Sequence, residues 1–89
     1  MTNSEDSLLE FPCEFPLKAM GRGIVGIEQT IIDIVKEHVD DLDETKVSTN
    51  TSRNGKYISV TIVITATSRE QLDNIYRAFT DHPDVLMAL

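Results

Sequence analysis

The stretch that decides the fold is Arg53-Asn54-Gly55-Lys56-Tyr57-Ile58-Ser59-Val60-Thr61-Ile62-Val63-Ile64-Thr65-Ala66. From Ile58 it alternates. Ile58, Val60, Ile62 and Ile64 point one way; Ser59, Thr61, Val63 and Thr65 point the other. That is a half-buried strand with one apolar face. Its β-branched side chains suit a pleated surface. Asn54-Gly55 ahead of it is the signature of a two-residue hairpin turn of type I′, whose central residues both need φ > 0. Such a turn sets Arg53 opposite Lys56, Asn50 opposite Ser59, Thr49 opposite Val60, Ser48 opposite Thr61, Val47 opposite Ile62 and Lys46 opposite Val63. Val47 then joins the apolar face, and a slip of one residue would send it to the polar side. Thr45–Ser52 therefore reads as a sparse edge strand and Tyr57–Ala66 as a central one. Burying the four aliphatics contributes roughly 6–12 kcal/mol gross, before chain entropy is set against it.

Before the hairpin, residues 1–13 read as a flexible, acidic N-terminal segment holding the apolar cluster Leu8, Leu9 and Phe11. Residues 14–89 read as a single domain. Phe15, Leu17 and Ala19 alternate with Lys18 and Met20, a first strand over about Glu14–Met20, ended by Gly21. Ile24, Ile27, Ile31, Ile34, Val35 and His38 recur at helical spacing, so an amphipathic helix should start at Ile24 and stop by about Val39, before Asp40, Asp41, Asp43 and Glu44. After the hairpin, Ser68 with Gln71 forms a capping box. Leu72, Ile75, Tyr76 and Phe79 make an apolar stripe, and Asp73 with Arg77 is an i,i+4 pair. Pro83 closes this helix, and Val85–Leu89 is a last short strand. The order βαββαβ makes an α+β, ferredoxin-like sandwich: a four-stranded antiparallel sheet with two helices on one face. The other face is open and carries Lys18, Lys46, Ser48, Asn50, Ser59, Thr61, Val63 and Thr65.

At 89 residues the chain has room for one small domain, and 40% hydrophobic content supports a core. Net charge is −7, with eleven acidic and three basic side chains in residues 1–44. An acidic chain is a poor match for nucleic acid or anionic membrane, since both begin with Lys or Arg meeting phosphate. The basic group Lys46, Arg53 and Lys56 is the exception. No apolar run reaches membrane-spanning length and no signal peptide opens the sequence. With one cysteine, no internal disulfide forms, and the expected location is cytoplasmic.

Several segments together resemble a known family. They are Leu8-Leu9-Glu10-Phe11-Pro12 leading to Phe15, Lys18-Ala19-Met20-Gly21, Gly55-Lys56-Tyr57-Ile58-Ser59-Val60-Thr61, Gln71-Leu72-Asp73-Asn74-Ile75-Tyr76 and Val85-Leu86-Met87-Ala88-Leu89. The chain is similar to the YbeD-like family of small uncharacterised bacterial proteins over about residues 8–89. The resemblance implies a ferredoxin-like fold akin to ACT-type regulatory domains. It supplies no catalytic residues, and associates some members with a lipoate-biosynthesis neighbourhood.

Gly21-Arg22-Gly23-Ile24-Val25-Gly26 matches G-x-G-x-x-G, but a dinucleotide site needs a parallel strand after the helix, and a hairpin edge strand follows instead. A tight strand–helix turn is the better reading. ACT-type domains bind small effectors at this loop, so Gly21, Arg22 and Gly23 are candidate ligand-binding residues for a carboxylate or amino acid. Cys13, His38 and His82 have neither nucleophile–base nor zinc-ligand spacing. The acids at 40–44 lack a calcium-loop pattern and read as a solvated turn. Lys46, Arg53, Lys56, Ser59 and Thr61 are the candidate partner-binding residues. The expectation is a non-enzymatic regulatory or protein-interaction module, without metal or cofactor, meeting a protein partner or a second copy through the open sheet face. The alternative is a small-effector binding domain using Gly21–Gly26.

Overall fold

The computed structural model describes residues 10–89. The expected flexibility of residues 1–9, and the packing of Leu8 and Leu9, lie outside these residues. The elements are β1 (Cys13–Arg22), α1 (Ile27–Lys36), β2 (Val47–Thr51), β3 (Tyr57–Ala66), α2 (Arg69–Asp81) and β4 (Val85–Ala88). The four strands form one antiparallel sheet in the order β2-β3-β1-β4, with the long strands β3 and β1 at the centre. This is the ferredoxin-like α+β arrangement.

The hairpin register is the expected one: Val47 pairs with Ile62, Ser48 with Thr61, Thr49 with Val60 and Asn50 with Ser59. The turn differs. No residue other than glycine has positive φ, so Asn54 is not in the left-handed region and the turn is not type I′; Gly55 alone takes it, at φ 75°. The loop is four residues long, Arg53–Lys56. The Ser52 N–H donates to the Tyr57 carbonyl (2.8 Å) and the Gly55 N–H to the Ser52 carbonyl (2.9 Å). The Asn54 side-chain oxygen accepts from the Lys56 N–H (3.2 Å). Loops of two and four residues close the same register, so the pairing survives the change of turn.

β1 is longer than expected at both ends. Cys13 already pairs with Ala66, so it belongs to the sheet and not to a flexible tail, and Phe11 before it packs against the core. Gly21 and Arg22 still pair with Ile58 and Tyr57, so Gly21 does not end the strand; instead the register to β4 shifts there.

The core lies between the sheet and the helices. Leu17, Ala19, Val60, Ile62 and Ile64 face Ile27, Ile31, Ile32 and Val35 of α1 and Leu72, Ile75 and Phe79 of α2. α1 starts at Ile27 rather than Ile24, with Gly26 as its N-cap, and ends at Lys36. Ile24 falls in the loop, although its spacing fits the helical stripe. Lys36 in the last turn suits the helix dipole, and the acids that follow do not.

α2 is capped as expected at one half: Ser68 Oγ accepts from the Gln71 N–H (3.0 Å). The reciprocal half is displaced by one residue. Gln71 Oε1 accepts from the Thr67 N–H (2.8 Å), and its Nε2 donates to the His38 carbonyl (2.9 Å), tying the two helices together. Asp73 pairs with Arg69 (3.7 Å), not with Arg77, which donates to Asn74 (3.2 Å). The i−4 arginine takes the carboxylate that the expected i+4 pair needed.

Candidate interaction surface

Alternation along β1 and β3 leaves one sheet face without a helix. On β3, Ser59, Thr61 and Val63 are half-buried by their neighbours and Thr65 is exposed; Ser48 and Asn50 of β2 are exposed beside them. On β1, Glu14, Pro16, Lys18 and Arg22 are exposed and Met20 is half-buried, with Met87 of β4 paired to it. The exposed face therefore carries Lys18 and Arg22, and Lys46 at its edge, against Glu14 among the strand residues. In a chain of net charge −7, the acids have been placed elsewhere, on the helices and turns. Lys46 Nζ lies 3.1 Å from Glu14 Oε2, a bridge reaching over β3 that holds the lysine pKa above its ordinary value. Both groups are in water, so the pair adds little to stability.

The structure separates the basic group read from the sequence. Lys46 precedes β2 at one end of the sheet. Arg53 and Lys56 sit on the turn at the other end, about 20 Å away along the strand. Closeness in sequence was the misleading signal, because an extended strand lies between them.

The structure instead brings Arg53 and Lys56 to the Gly21–Gly26 loop. The Gly23 N–H donates to the Lys56 carbonyl (2.8 Å). A Cβ on Gly23 would overlap the Gly55 carbonyl oxygen and stand 2.9 Å from its carbon. A Cβ on the buried Gly21 would meet Ile27 Cγ1 at 2.5 Å and the Asp84 carbonyl oxygen at 3.2 Å. Both close approaches are to the protein itself. Arg22 Nε lies 3.7 Å from Asp84 Oδ1.

The remaining candidates are accounted for locally. Cys13 is half-buried at the head of β1. His38 lies just past the end of α1, and its carbonyl takes the Gln71 bond. His82 is half-buried rather than fully solvated, and its Nδ1 accepts the Asp84 N–H (3.1 Å). Asp43 Oδ1 accepts from Thr45 Oγ1 (2.6 Å) and the Thr45 N–H (2.9 Å), and these bonds hold its pKa below the ordinary carboxylate value. Glu44 pairs with Lys36 at 2.7 Å. Among the described residues no three His, Cys, Asp or Glu side chains are grouped to hold a metal.

Two features escaped the sequence reading. One is a cleft of about 490 Å³ between the end of α1 and the start of α2, lined by His38, Asp40, Asp41, Ser68, Glu70 and Asn74 among others. Its two walls are about thirty residues apart in sequence. The other is the exposure of Ile24 (46%) and Val25 (102%).

Residues 6–89 match the family described as "Protein of unknown function (DUF493)". The chain belongs to this family. Relatives include a UPF0250 protein of Nitrosomonas europaea, 49% identical over 86 residues, covering 97% of this chain and 99% of the relative. A UPF0250 protein of Paraburkholderia phytofirmans is 44% identical over the whole of both chains. The DUF493 chain thus sits among small bacterial proteins, as the YbeD-like resemblance implied. The solution structure of protein HP0495 from H. pylori superposes with a TM-score of 0.73, covering 91% of this chain and 85% of that one, at 15% identity. This match supports the ferredoxin-like fold. Among the described residues no helix is long and apolar enough to cross a membrane.

Proposed function

We propose that this DUF493 protein is a non-enzymatic regulatory or protein-interaction module of the cytoplasm, and that its working surface is the open sheet face. The observation that carries the reading is the charge of that face. It presents Lys18, Arg22 and Lys46 against Glu14 among the strand residues, in a chain of net charge −7, around a Ser/Thr-rich centre at Ser59 and Thr61. Such a face suits an acidic protein partner, because complementary charge steers encounter and fixes register. No polar or charged side chain among the described residues is buried.

The test compares the wild-type protein with Thr61→Arg as baits in cytosol. Thr61 sits mid-face between Lys18 and Ser48, so the larger side chain extends into water and spares the core. The reading expects partners held by the wild type and lost by the variant.

A carboxylate or amino-acid effector at Gly21–Gly23 has one observation in its favour: α1 has no side-chain hydrogen bond at its N-cap. Against it, the glycines' close approaches are filled by the hairpin turn and by Ile27. A thermal-shift screen with small carboxylates decides this second reading.

A further inference from the structure

The Gly21–Gly26 loop presents two consecutive aliphatic side chains to water at the end of the sheet. Val25 is fully exposed and Ile24 nearly half exposed. Single exposed apolar residues need no explanation. Here, however, the backbone that carries them is held. The Gly23 N–H is bonded to the Lys56 carbonyl (2.8 Å), the Ile24 N–H to the Arg22 carbonyl (2.8 Å), and the Ile27 N–H to the Ile24 carbonyl (3.3 Å). Gly23 is wedged against Gly55. The pair therefore cannot fold back on the core without breaking these contacts. The hairpin turn held against this loop carries the exposed cations Arg53 and Lys56, and the exposed Arg22 precedes it, drawn towards Asp84 (3.7 Å).

We infer that Ile24 and Val25 form an apolar knuckle that docks against a protein partner's acidic segment bearing aliphatic or aromatic side chains. The partner's apolar residues cover the knuckle, and its carboxylates meet Arg53 and Lys56. Charge complementarity selects this occupant: the hairpin turn packed beside the knuckle carries Arg53 and Lys56 and no acid, at one end of an acidic molecule, and a basic segment would be repelled. The chemistry is that of an anchor with a charged rim. This surface is the end of the sheet and shares only Arg22 with the open face, so variants at Val25 and Arg53 test it apart from the proposed function.

The probe is a fluorescent short peptide alternating Glu with Leu and Phe, titrated with the full chain and followed by polarisation. Two control peptides replace Glu by Lys, or Leu and Phe by Ser. Saturable binding of the first peptide alone is expected, weakening as salt rises. Val25→Asp should weaken it about tenfold or more, the loss of one covered aliphatic plus a repelled charge. Arg53→Glu should also weaken it, and Thr61→Arg should leave it unchanged. The Val25 side chain is fully exposed, so Val25→Asp should melt with the wild type. Absence of binding overturns the inference, as does equal binding by Val25→Asp or by the Ser-substituted peptide. Self-association in sedimentation that Val25→Asp abolishes would overturn it in favour of a second copy.

Discussion

Gly23 and Gly55 touch backbone to backbone, although 31 positions separate them in the sequence. The contact locks the β1–α1 loop to the hairpin turn, and the Gly23 N–H to Lys56 carbonyl bond runs beside it. Any side chain at Gly23 meets main chain, which cannot swing aside. Gly23→Ala should therefore cost roughly 2 kcal/mol or more. Urea denaturation checks this; a midpoint equal to wild type would show that the turns are not in contact.

The apolar face of β3 is the centre of the core. Ile62 is 1% exposed, pairs with Leu17 and Val47, and sits under both helices. Ile62→Asp leaves a buried carboxylate with no cation to meet it. The cost should exceed about 4 kcal/mol, comparable with the whole stability of a small domain. Circular dichroism should show no cooperative melt. A near-normal transition would refute the face assignment.

Gln71 joins two backbone segments through its side-chain amide, bonding Thr67 and His38, while its own N–H donates to the Ser68 hydroxyl. Gln71→Ala removes the side-chain bonds to Thr67 and His38. The expected loss is about 1–2 kcal/mol, and a domain of this size loses about 4–8 °C in Tm per kcal/mol. Calorimetry of the variant measures it, and an unchanged Tm would show that the amide carries no load.

Tyr76 packs its ring edge-on against Phe79, with centroids 6.4 Å apart, and its hydroxyl donates to the Leu89 carbonyl (2.8 Å). Burial raises its pKa above 10.0. A raised folded-state value favours the protonated form, so its contribution is complete below about pH 10 and is lost as pH rises through the folded pKa. Lys46 and Lys36, raised by Glu14 and Glu44, lose their contributions in the same alkaline direction, above 10.5. Tyr76→Phe should cost about 0.5–1.5 kcal/mol at neutral pH. It should also fall less steeply than wild type in melts run above pH 10. Parallel slopes would remove Tyr76 from the alkaline limb.

The hairpin register was legible in sequence because Val47 has one face on which it can be buried. The turn type was not, because two- and four-residue loops satisfy the same pairing and Ser52 and Asn54 supply bonds for the longer one. The start of α1 was hidden for a related reason. Ile24 has the right spacing for the helix, but the loop is held by Gly55 and Lys56, far along the chain. Periodicity reads neighbours and is blind to such contacts. The same blindness merged Lys46 with Arg53 and Lys56, and missed Ile24 and Val25 as exposed residues.

The central claim, that partners dock on the open sheet face, is tested most directly by quantitative affinity capture from cytosol with the wild-type protein and Thr61→Arg side by side, after both are shown to melt alike. The account predicts proteins retained by the wild type and lost from the variant. An identical set on both baits would contradict it.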